Sequence, residues 1–208
     1  MVWRDRVEAG RELAEELERR GYAGRSDVTV LGVPRGGVEV AREVADRLGA
    51  PLDVVVVRKV GAPGAPEFAA GAVDVDGTVH ANPDARVSRE WLERAAVPER
   101  AEAVRRAAAY RAGRGPLELA GRTVIVVDDG IATGLTAVAA LRWLAGRGAA
   151  RTVIAAPAMA PDTATRLTRE ADEVVALESP PGFRAVGQFY ASFPQLSDDD
   201  VTRLLAIG

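Results

Sequence analysis

Residues 124–136 read VIVVDDGIATGLT, and this stretch decides the fold prediction. The apolar run that ends at Val127 predicts a strand buried on both faces, as in parallel sheets. Two carboxylates follow it, and the apolar spacing from about Gly134 to Arg147 predicts a helix. A glycine-containing turn before a helix N-terminus favours phosphate, because its amides and the helix dipole attract anions. In open α/β sheets such ligands lie at the carboxyl ends of the strands.

Outward from this stretch, the chain alternates between strand and helix patterns. We predict five buried strands at 28–33, 52–57, 123–127, 152–156 and 173–177. We predict helices over 3–20, from the Arg35-Gly-Gly turn to Leu48, from Arg89 to about Arg111, over 134–147 and near 162–170. Pro98 either breaks the helix that begins at Arg89 or starts another. This order predicts an α/β fold with a doubly wound, mostly parallel five-stranded sheet and helices on both faces.

Two segments depart from that alternation. Residues 67–81 predict an antiparallel hairpin with its turn at Asp76-Gly77, inserted into the α/β alternation. An irregular GAPGAP loop is predicted before it, at 61–66. The last thirty residues are less regular and predict a small C-terminal hood. The length of 208 residues suits a single domain, 1–208, with a core at about 24–178 and the hood at about 179–208, to which the N-terminus contributes.

Composition excludes several classes of protein. The absence of cysteine excludes disulfides, thiolate metal sites and cysteine nucleophiles. A net charge of −3 gives no general attraction to nucleic acid or to anionic membranes. No apolar run is long enough for a transmembrane helix or a signal peptide. We therefore expect a cytoplasmic protein with no nucleic-acid or membrane partner.

Three predicted strand ends carry residues suited to chemistry: Arg35-Gly36-Gly37, Arg58-Lys59 and Asp128-Asp129. Lys59 is the one lysine of the chain, among 27 basic residues, which favours a specific role. The two carboxylates would repel a phosphate held by the adjacent turn, so we expect them to face hydroxyls or a cation. A phosphate on one side and a diol on the other describe a sugar phosphate.

The 124–136 string resembles the phosphoribosyl pyrophosphate (PRPP) signature of the type I phosphoribosyltransferases, in which apolar residues precede two acidic residues and a Thr-Gly. It is neither a Walker loop nor a Rossmann fingerprint. The resemblance implies a Mg²⁺-assisted enzyme that moves ribose 5-phosphate from PRPP to a small, nitrogenous acceptor and releases pyrophosphate. It also suggests a homodimer.

The resemblance implies a role for each motif. Asp128 and Asp129 would bind the ribose hydroxyls and help to place Mg²⁺, while Arg58 and Lys59 would neutralise the leaving pyrophosphate. The 5′-phosphate would be held by Gly130, Ile131, Ala132, Thr133, Gly134, Leu135 and Thr136. Arg35, Gly36 and Gly37 would form the pyrophosphate loop.

The same resemblance implies how the site closes. Residues 61–67 would form a mobile cover, in which Glu67 contacts metal or substrate. The segment from Pro181 to Phe193 would be the hood that receives the acceptor. Its aromatic residues either pack the hood onto the core or stack on a base.

The acceptor and the activity stay open. Ala132 stands where purine-salvage members carry an acidic residue, and uracil phosphoribosyltransferases have an incomplete acidic pair where this chain has both. A PRPP-binding regulatory or accessory protein without turnover is the main alternative. A different sugar-phosphate enzyme, such as a hydrolase or isomerase, is another.

Overall fold

A computed structural model describes residues 2–206, with Glu67 described through its backbone alone. The strands are β1 (Val28–Gly32), β2 (Leu52–Val54), β3 (Val57–Ala62), β4 (Ala65–Asp74), β5 (Val79–Ala81), β6 (Thr123–Val127), β7 (Arg151–Ala158) and β8 (Glu173–Glu178). The helices are α1 (Arg6–Arg19), α2 (Gly36–Leu48), α3 (Arg89–Arg111), α4 (Leu135–Ala145), α5 (Pro161–Leu167) and α6 (Asp198–Ala206). None of the helices in this range combines the length and the apolar character needed to cross a membrane.

The main sheet has five parallel strands in the order β2-β1-β6-β7-β8. Its central strand, β6, explains why the sequence there is continuously apolar. Ile125 and Val127 pack beneath α1 and α2 on one face, whereas Val124 and Val126 pack against α4 on the other. The predicted doubly wound α/β fold with helices on both faces is confirmed.

The chain changes sheets within one of the predicted strands. β2 ends at Val54, and Val57 begins β3, which pairs antiparallel with β4 in a separate sheet of order β3-β4-β5. The single strand predicted over 52–57 is therefore wrong in its second half. The pattern hid the change because Val55, Val56 and Val57 are all buried, although the chain leaves one sheet for the other there. Arg58 and Lys59 consequently lie within β3 and not beyond the end of a parallel strand.

The antiparallel insertion is larger than the predicted hairpin. Gly61 and Ala62 end β3, Ala65 and Pro66 begin β4, and only Pro63-Gly64 form the turn, so the irregular loop predicted over 61–66 is wrong. The chain turns next to the predicted Asp76-Gly77 position, but the hydrogen-bonded turn runs from Asp74 to Gly77 with Val75 and Asp76 at its centre. Asp74 Oδ1 accepts from the amides of residues 76–78 at 2.9–3.1 Å. Val57 and Ala72 pack the insertion against the α4 core.

Helix α3 is continuous through Pro98 for 23 residues, so the predicted interruption is absent. Ser88 caps it as predicted, its Oγ accepting from the Trp91 amide at 3.2 Å. Leu92 and Ala96 are buried before the proline, and Ala103 and Ala107 are buried after it. Packing on both sides offsets the backbone hydrogen bond that proline removes.

The C-terminal thirty residues divide into two parts. Residues 186–189 form a 3₁₀ helix near the carboxyl end of the sheet, whereas α6 packs Val201 and Leu205 against α2 and α3. Within the hood predicted over 179–208, the residues that line the cavity, Val186 and Phe193, lie before α6. The N-terminus joins its first part, since the Trp3 amide donates to the Phe189 carbonyl at 2.8 Å and Trp3 packs on Tyr190.

Candidate active site

A cavity of about 490 Å³ lies at the carboxyl ends of β1 and β6, bounded by β3 and by the C-terminal segment. It brings together eight of the predicted site residues: Arg35, Gly36, Arg58, Lys59, Asp128, Asp129, Gly130 and Thr136. Residues that the sequence analysis had not singled out complete its wall, among them Arg6, Val33 and Val57.

The acidic pair directly follows β6. Burial raises the pKa of Asp128 well above its usual value, and the neighbouring Asp129 raises it further, while the Lys59 charge lowers it. Burial also raises the pKa of Asp129, and Arg6 acts against that rise. The Asp129 amide donates to Asp128 Oδ1 at 2.9 Å. Two carboxylates thus share a site with cations on either side.

Arg6 is the main site residue that sequence reasoning missed. Its Nε donates to Asp129 Oδ2 at 2.7 Å, and its side chain is only 5% exposed. A signal was present in the sequence. Arg6 lies at the start of α1 on the face that buries Ala9, Gly10 and Leu13, and a charged residue on a buried helix face requires a partner.

The glycine loop, Arg35-Gly36-Gly37, follows β1, and its two glycines are the first residues of α2. It packs directly on the acidic pair. A Cβ at Gly36 would lie 1.8 Å from Asp129 Oδ2, and one at Gly37 would lie 2.8 Å from the Asp128 Cα. Both positions therefore exclude any side chain. Arg35, before the first glycine, lines the cavity, and its peptide bond with Pro34 is cis. Gly37 is buried behind the wall.

The two cations of β3 differ in their partners. Arg58 donates to Glu99 of α3 at 2.7 Å and 2.9 Å, so a ligand would compete with Glu99 for it. Lys59 is exposed and lines the cavity, and no ion pair among the described side chains holds it. Lys59 is therefore the freer of the two charges.

Side chains of α5 hold the turn before α4 through hydrogen bonds to its carbonyl groups. Thr163 Oγ1 donates to the Ala132 carbonyl at 2.6 Å, and Arg166 donates to the Thr133 carbonyl. The Ile131 amide donates to the Ala158 carbonyl at 2.9 Å, so the prediction that this amide holds a phosphate is wrong. The first amides of α4 have no partner within the helix and stay available for an anion.

Not every predicted residue of this turn reaches the cavity wall. Gly130 and Thr136 line it, whereas Thr133 and Leu135 line a separate groove of about 200 Å³ beside Phe68. Ile131, Ala132 and Gly134 line neither. The predicted contact of Glu67 with metal or substrate concerns a side chain outside the described part of the structure.

The aromatic residues of the C-terminal segment pack against one another. Tyr190 stacks on Phe193 with ring centres 4.9 Å apart, and its hydroxyl donates to the Asp129 carbonyl at 2.5 Å. The guanidinium carbon of Arg6 lies over the Phe193 ring, 3.9 Å from the ring centre. Val186 closes over Gly130, where a Cβ would meet it at 2.4 Å. These contacts support the packing interpretation of the hood aromatics.

With this geometry established, sequence comparison identifies the family. A family model described as "Phosphoribosyl transferase domain" matches residues 3–189. The chain belongs to the phosphoribosyl transferase family. The resemblance carried by the 124–136 motif is thereby confirmed.

This phosphoribosyl transferase domain is similar to curated protein sequences and to solved structures. Over 206 residues it is 48% identical to a Mycobacterium tuberculosis protein named "Putative phosphoribosyl transferase Rv0571c", with 97% of this chain and 46% of the relative covered. The chain thus spans about half the length of the curated relatives it matches. It is 47% identical to the TT1426 protein of Thermus thermophilus, with a TM-score of 0.83 and coverage of 99% of this chain and 98% of that one.

A more distant structure shares the fold alone. The AQ2163 protein of Aquifex aeolicus is 13% identical, with a TM-score of 0.54, and the match covers 84% of this chain and 73% of that one. The architecture of the phosphoribosyl transferase domain is therefore kept where most of the sequence has changed.

The carboxylates of this domain fit Mg²⁺ as a partner of substrate. Among the described side chains, which do not include that of Glu67, no group of three or more His, Cys, Asp or Glu could enclose a metal ion. Mg²⁺ is commonly held by one or two carboxylates together with substrate phosphates and water. Asp128 and Asp129 supply such a pair, with Asp129 already sharing one oxygen with Arg6.

Proposed function

We propose that this domain transfers ribose 5-phosphate from PRPP to a nitrogenous acceptor and releases pyrophosphate, with Mg²⁺ assisting. The observation that carries the proposal is the convergence of three elements in one cavity. These are the acidic pair after β6, the glycine loop after β1 and the unpaired Lys59 of β3. Each element suits one part of PRPP. The acidic pair suits the ribose diol, the glycine loop suits the pyrophosphate oxygens, and Lys59 suits the negative charge of the pyrophosphate.

The chemistry requires positioning more than covalent help. Displacement at C1 of the ribose develops positive charge on the sugar and negative charge on the leaving pyrophosphate. Asp128 and Asp129 would stabilise the first, and Lys59 and Arg35 the second, because fixed charges in a partly buried site act strongly. Mg²⁺ would neutralise part of the charge on the pyrophosphate. The α4 N-terminus and Thr136 would hold the 5′-phosphate and so fix C1 in place.

The first experiment is calorimetric titration of PRPP with and without Mg²⁺, with ribose 5-phosphate as the control. We expect PRPP to bind more tightly than ribose 5-phosphate and to depend on Mg²⁺. Absence of PRPP binding by folded protein would contradict the proposal.

A PRPP-binding regulatory or accessory role is the second candidate. One observation favours it: Asp129 and Arg58 are both engaged by protein partners, Arg6 and Glu99. Assays of pyrophosphate release with a panel of bases and amines separate the two functions. Binding of PRPP without pyrophosphate release in the presence of any acceptor supports the regulator. Pyrophosphate release without an added acceptor supports a hydrolase.

We also propose that the chain forms one domain, acts in the cytoplasm and assembles as a homodimer. The homodimer follows from the family resemblance.

A further inference from the structure

Arg6 connects the acidic pair to the C-terminal segment. Its Nε donates to Asp129 Oδ2 at 2.7 Å, and its Nη1 donates to the Pro194 carbonyl at 2.8 Å. Its guanidinium carbon also lies 3.9 Å from the centre of the Phe193 ring. Two hydrogen bonds and one ring contact fix the orientation of a planar, almost completely buried group. A residue held in this way can in turn hold the carboxylate that it binds.

The two oxygens of the Asp129 carboxylate have different surroundings. Oδ2 accepts from Arg6 and lies against the glycine loop, since a Cβ at Gly36 would be 1.8 Å from Oδ2 and 2.8 Å from Arg6 Nε. Main chain therefore covers the ion pair on that side. No described N–H or hydroxyl group donates to Oδ1, although Asp129 lines the cavity. Oδ1 is thus the oxygen left for a hydroxyl of a ligand.

The backbone of Asp129 is held from the C-terminal segment as well. The Tyr190 hydroxyl donates to the Asp129 carbonyl at 2.5 Å. Tyr190 also stacks on Phe193, the ring over which the Arg6 guanidinium lies. Asp128 is held locally instead, where its Oδ1 accepts from the Asp129 amide at 2.9 Å. Distant segments therefore orient the second carboxylate of the pair, whereas a neighbouring amide orients the first.

We propose that Arg6 is a positioning residue of the ribose subsite, which fixes Asp129 so that Oδ1 meets a hydroxyl of the sugar. The proposal rests on the proposed transferase function, in which the acidic pair binds the ribose diol. A carboxylate free to rotate would spread Oδ1 over several orientations, and a hydrogen bond weakens steeply when it is misaligned. An acceptor that is oriented beforehand avoids that loss when the substrate binds. Arg6 acts through Asp129 and needs no contact with PRPP.

The charges around Arg6 argue against a direct contact with pyrophosphate. Asp129 at 2.7 Å and Glu39 at 3.9 Å already balance the charge of Arg6. Arg35 and Lys59 have no carboxylate within ion-pair distance among the described side chains. These two unbalanced cations suit the highly charged pyrophosphate, whereas a cation already matched by two carboxylates adds little attraction.

The substitution Arg6→Gln tests the role with three ligands. Calorimetry measures the affinity for PRPP and ribose 5-phosphate, which contain the ribose diol, and for inorganic pyrophosphate, which does not. We expect the affinity for the two sugar phosphates to fall at least about tenfold and that for pyrophosphate to stay within about threefold. A general disturbance of the cavity would weaken all three. Arg11→Gln is the matched control, because Arg11 is an exposed residue of the same helix outside the cavity.

A double-mutant cycle shows whether Arg6 acts through Asp129. We expect Arg6→Gln combined with Asp129→Asn to bind PRPP within about threefold of Asp129→Asn alone, because the positioned carboxylate is already gone. The double variant also covers the case in which Arg6→Gln leaves an unpaired carboxylate and fails to fold, since it removes both charges. Arg11→Gln combined with Asp129→Asn is the control for the background.

The substitution Arg6→Lys separates orientation from charge. Lysine keeps a positive charge beside Asp129 but replaces the planar fork with a single ammonium group. We expect PRPP affinity at least about threefold below that of the parent, with pyrophosphate affinity retained. Parental affinity for PRPP in this variant would show that charge alone suffices and would overturn the proposal.

Two further results would overturn it. Additive losses in the double-mutant cycle would make Arg6 a contact independent of Asp129, and an equal fall in pyrophosphate affinity would assign Arg6 to the leaving group. In both cases the binding of PRPP by the parent keeps the proposed function standing. Failure of the parent to bind PRPP would remove the proposed function itself, and this role of Arg6 with it.

Discussion

At the scale of single residues, the site combines a local motif with a distant partner. The motif is continuous in sequence, so the position of Asp128, Asp129 and the glycines around them between a strand and a helix could be predicted from the local pattern, whereas their roles toward PRPP rest on the family resemblance. Arg6 is 123 positions from Asp129, and only the folded chain brings the two together. The Ile131 amide shows the opposite failure, because the motif places it in the phosphate turn while the neighbouring strand extension occupies it.

The substitution Gly36→Ala tests the contact between the glycine loop and the acidic pair. The new methyl group would overlap Asp129 Oδ2 and press on Arg6 Nε. We expect a loss of about 1–3 kcal/mol in the free energy of unfolding from overpacking and at least about a tenfold loss of PRPP affinity. Urea denaturation and calorimetry measure the two effects. Gly182→Ala is the control, since no atom lies within 4 Å of a Cβ there, and equal effects in both variants would contradict the contact.

The substitution Lys59→Ala tests the charge proposed for the pyrophosphate. Lys59 is exposed, so the free energy of unfolding should change by less than about 0.5 kcal/mol. PRPP and pyrophosphate affinity should fall at least about tenfold, and ribose 5-phosphate affinity should change little. Calorimetry with the three ligands measures this, with Arg94→Ala, an exposed cation of α3, as the control. Equal losses for all three ligands would remove the proposed role.

At the scale of elements, periodicity predicted the parallel strands well and the antiparallel insertion poorly. Buried strands of both sheets are apolar, so the run over 52–57 carries no mark of the change between β2 and β3. Pro98 misled for a different reason. Its cost to an isolated helix is local, whereas the burial of α3 on both sides of it depends on distant elements that a sequence pattern does not reveal.

Glu173 joins the end of α1 to two strands and makes that junction sensitive to acid. Its carboxylate accepts from Tyr22, Arg20 and Arg151 at 2.5–2.8 Å. Burial alone would raise the pKa of Glu173, but these hydrogen bonds outweigh it and lower the pKa to about 2. A lowered pKa in the folded state means that the stabilisation is complete above the ordinary value of 4.5 and is lost as the pH falls toward 2.

The substitution Glu173→Gln measures that stabilisation. At pH 7 we expect the variant to lose about 1–2 kcal/mol in the free energy of unfolding. The difference from the parent should shrink steadily between pH 4.5 and pH 2, following the pKa values above. Urea denaturation at several pH values tests this. Glu90→Gln, at an exposed ion pair of α3, is the control, and a pH-independent difference would contradict the assignment.

At the scale of the whole molecule, the N-terminal segment and the segment at 186–193 together form one wall of the cavity, to which they contribute Arg6, Val186 and Phe193. Trp3 is 1% exposed and packs on Phe189 and Tyr190. The Trp3 carbonyl accepts from the Ala191 amide at 2.7 Å. Sequence analysis predicted an N-terminal contribution to the hood but not its form, because backbone pairing between segments so far apart leaves no local pattern.

The substitution Trp3→Ala tests whether the N-terminal segment holds this wall. We expect a loss of about 3–5 kcal/mol in the free energy of unfolding. Hydrogen exchange should accelerate at the Ala191 and Ser192 amides, which bond to Trp3 and Arg4, and stay unchanged within α6. Val2→Ala is the control, because Val2 is 63% exposed. Uniform acceleration across both regions would show general destabilisation and not a local wall.

The free ammonium of Lys59 has a practical consequence. Every other basic side chain except His80 is an arginine, so this cavity holds the one side-chain amine that an acylating reagent can modify. Such a reagent labels the cavity, and the mass of the proteolytic peptide that contains Lys59 reports its acylation separately from that of the α-amino group. Any ligand that covers Lys59 would lower the rate of its acylation, whether or not the protein converts that ligand to product.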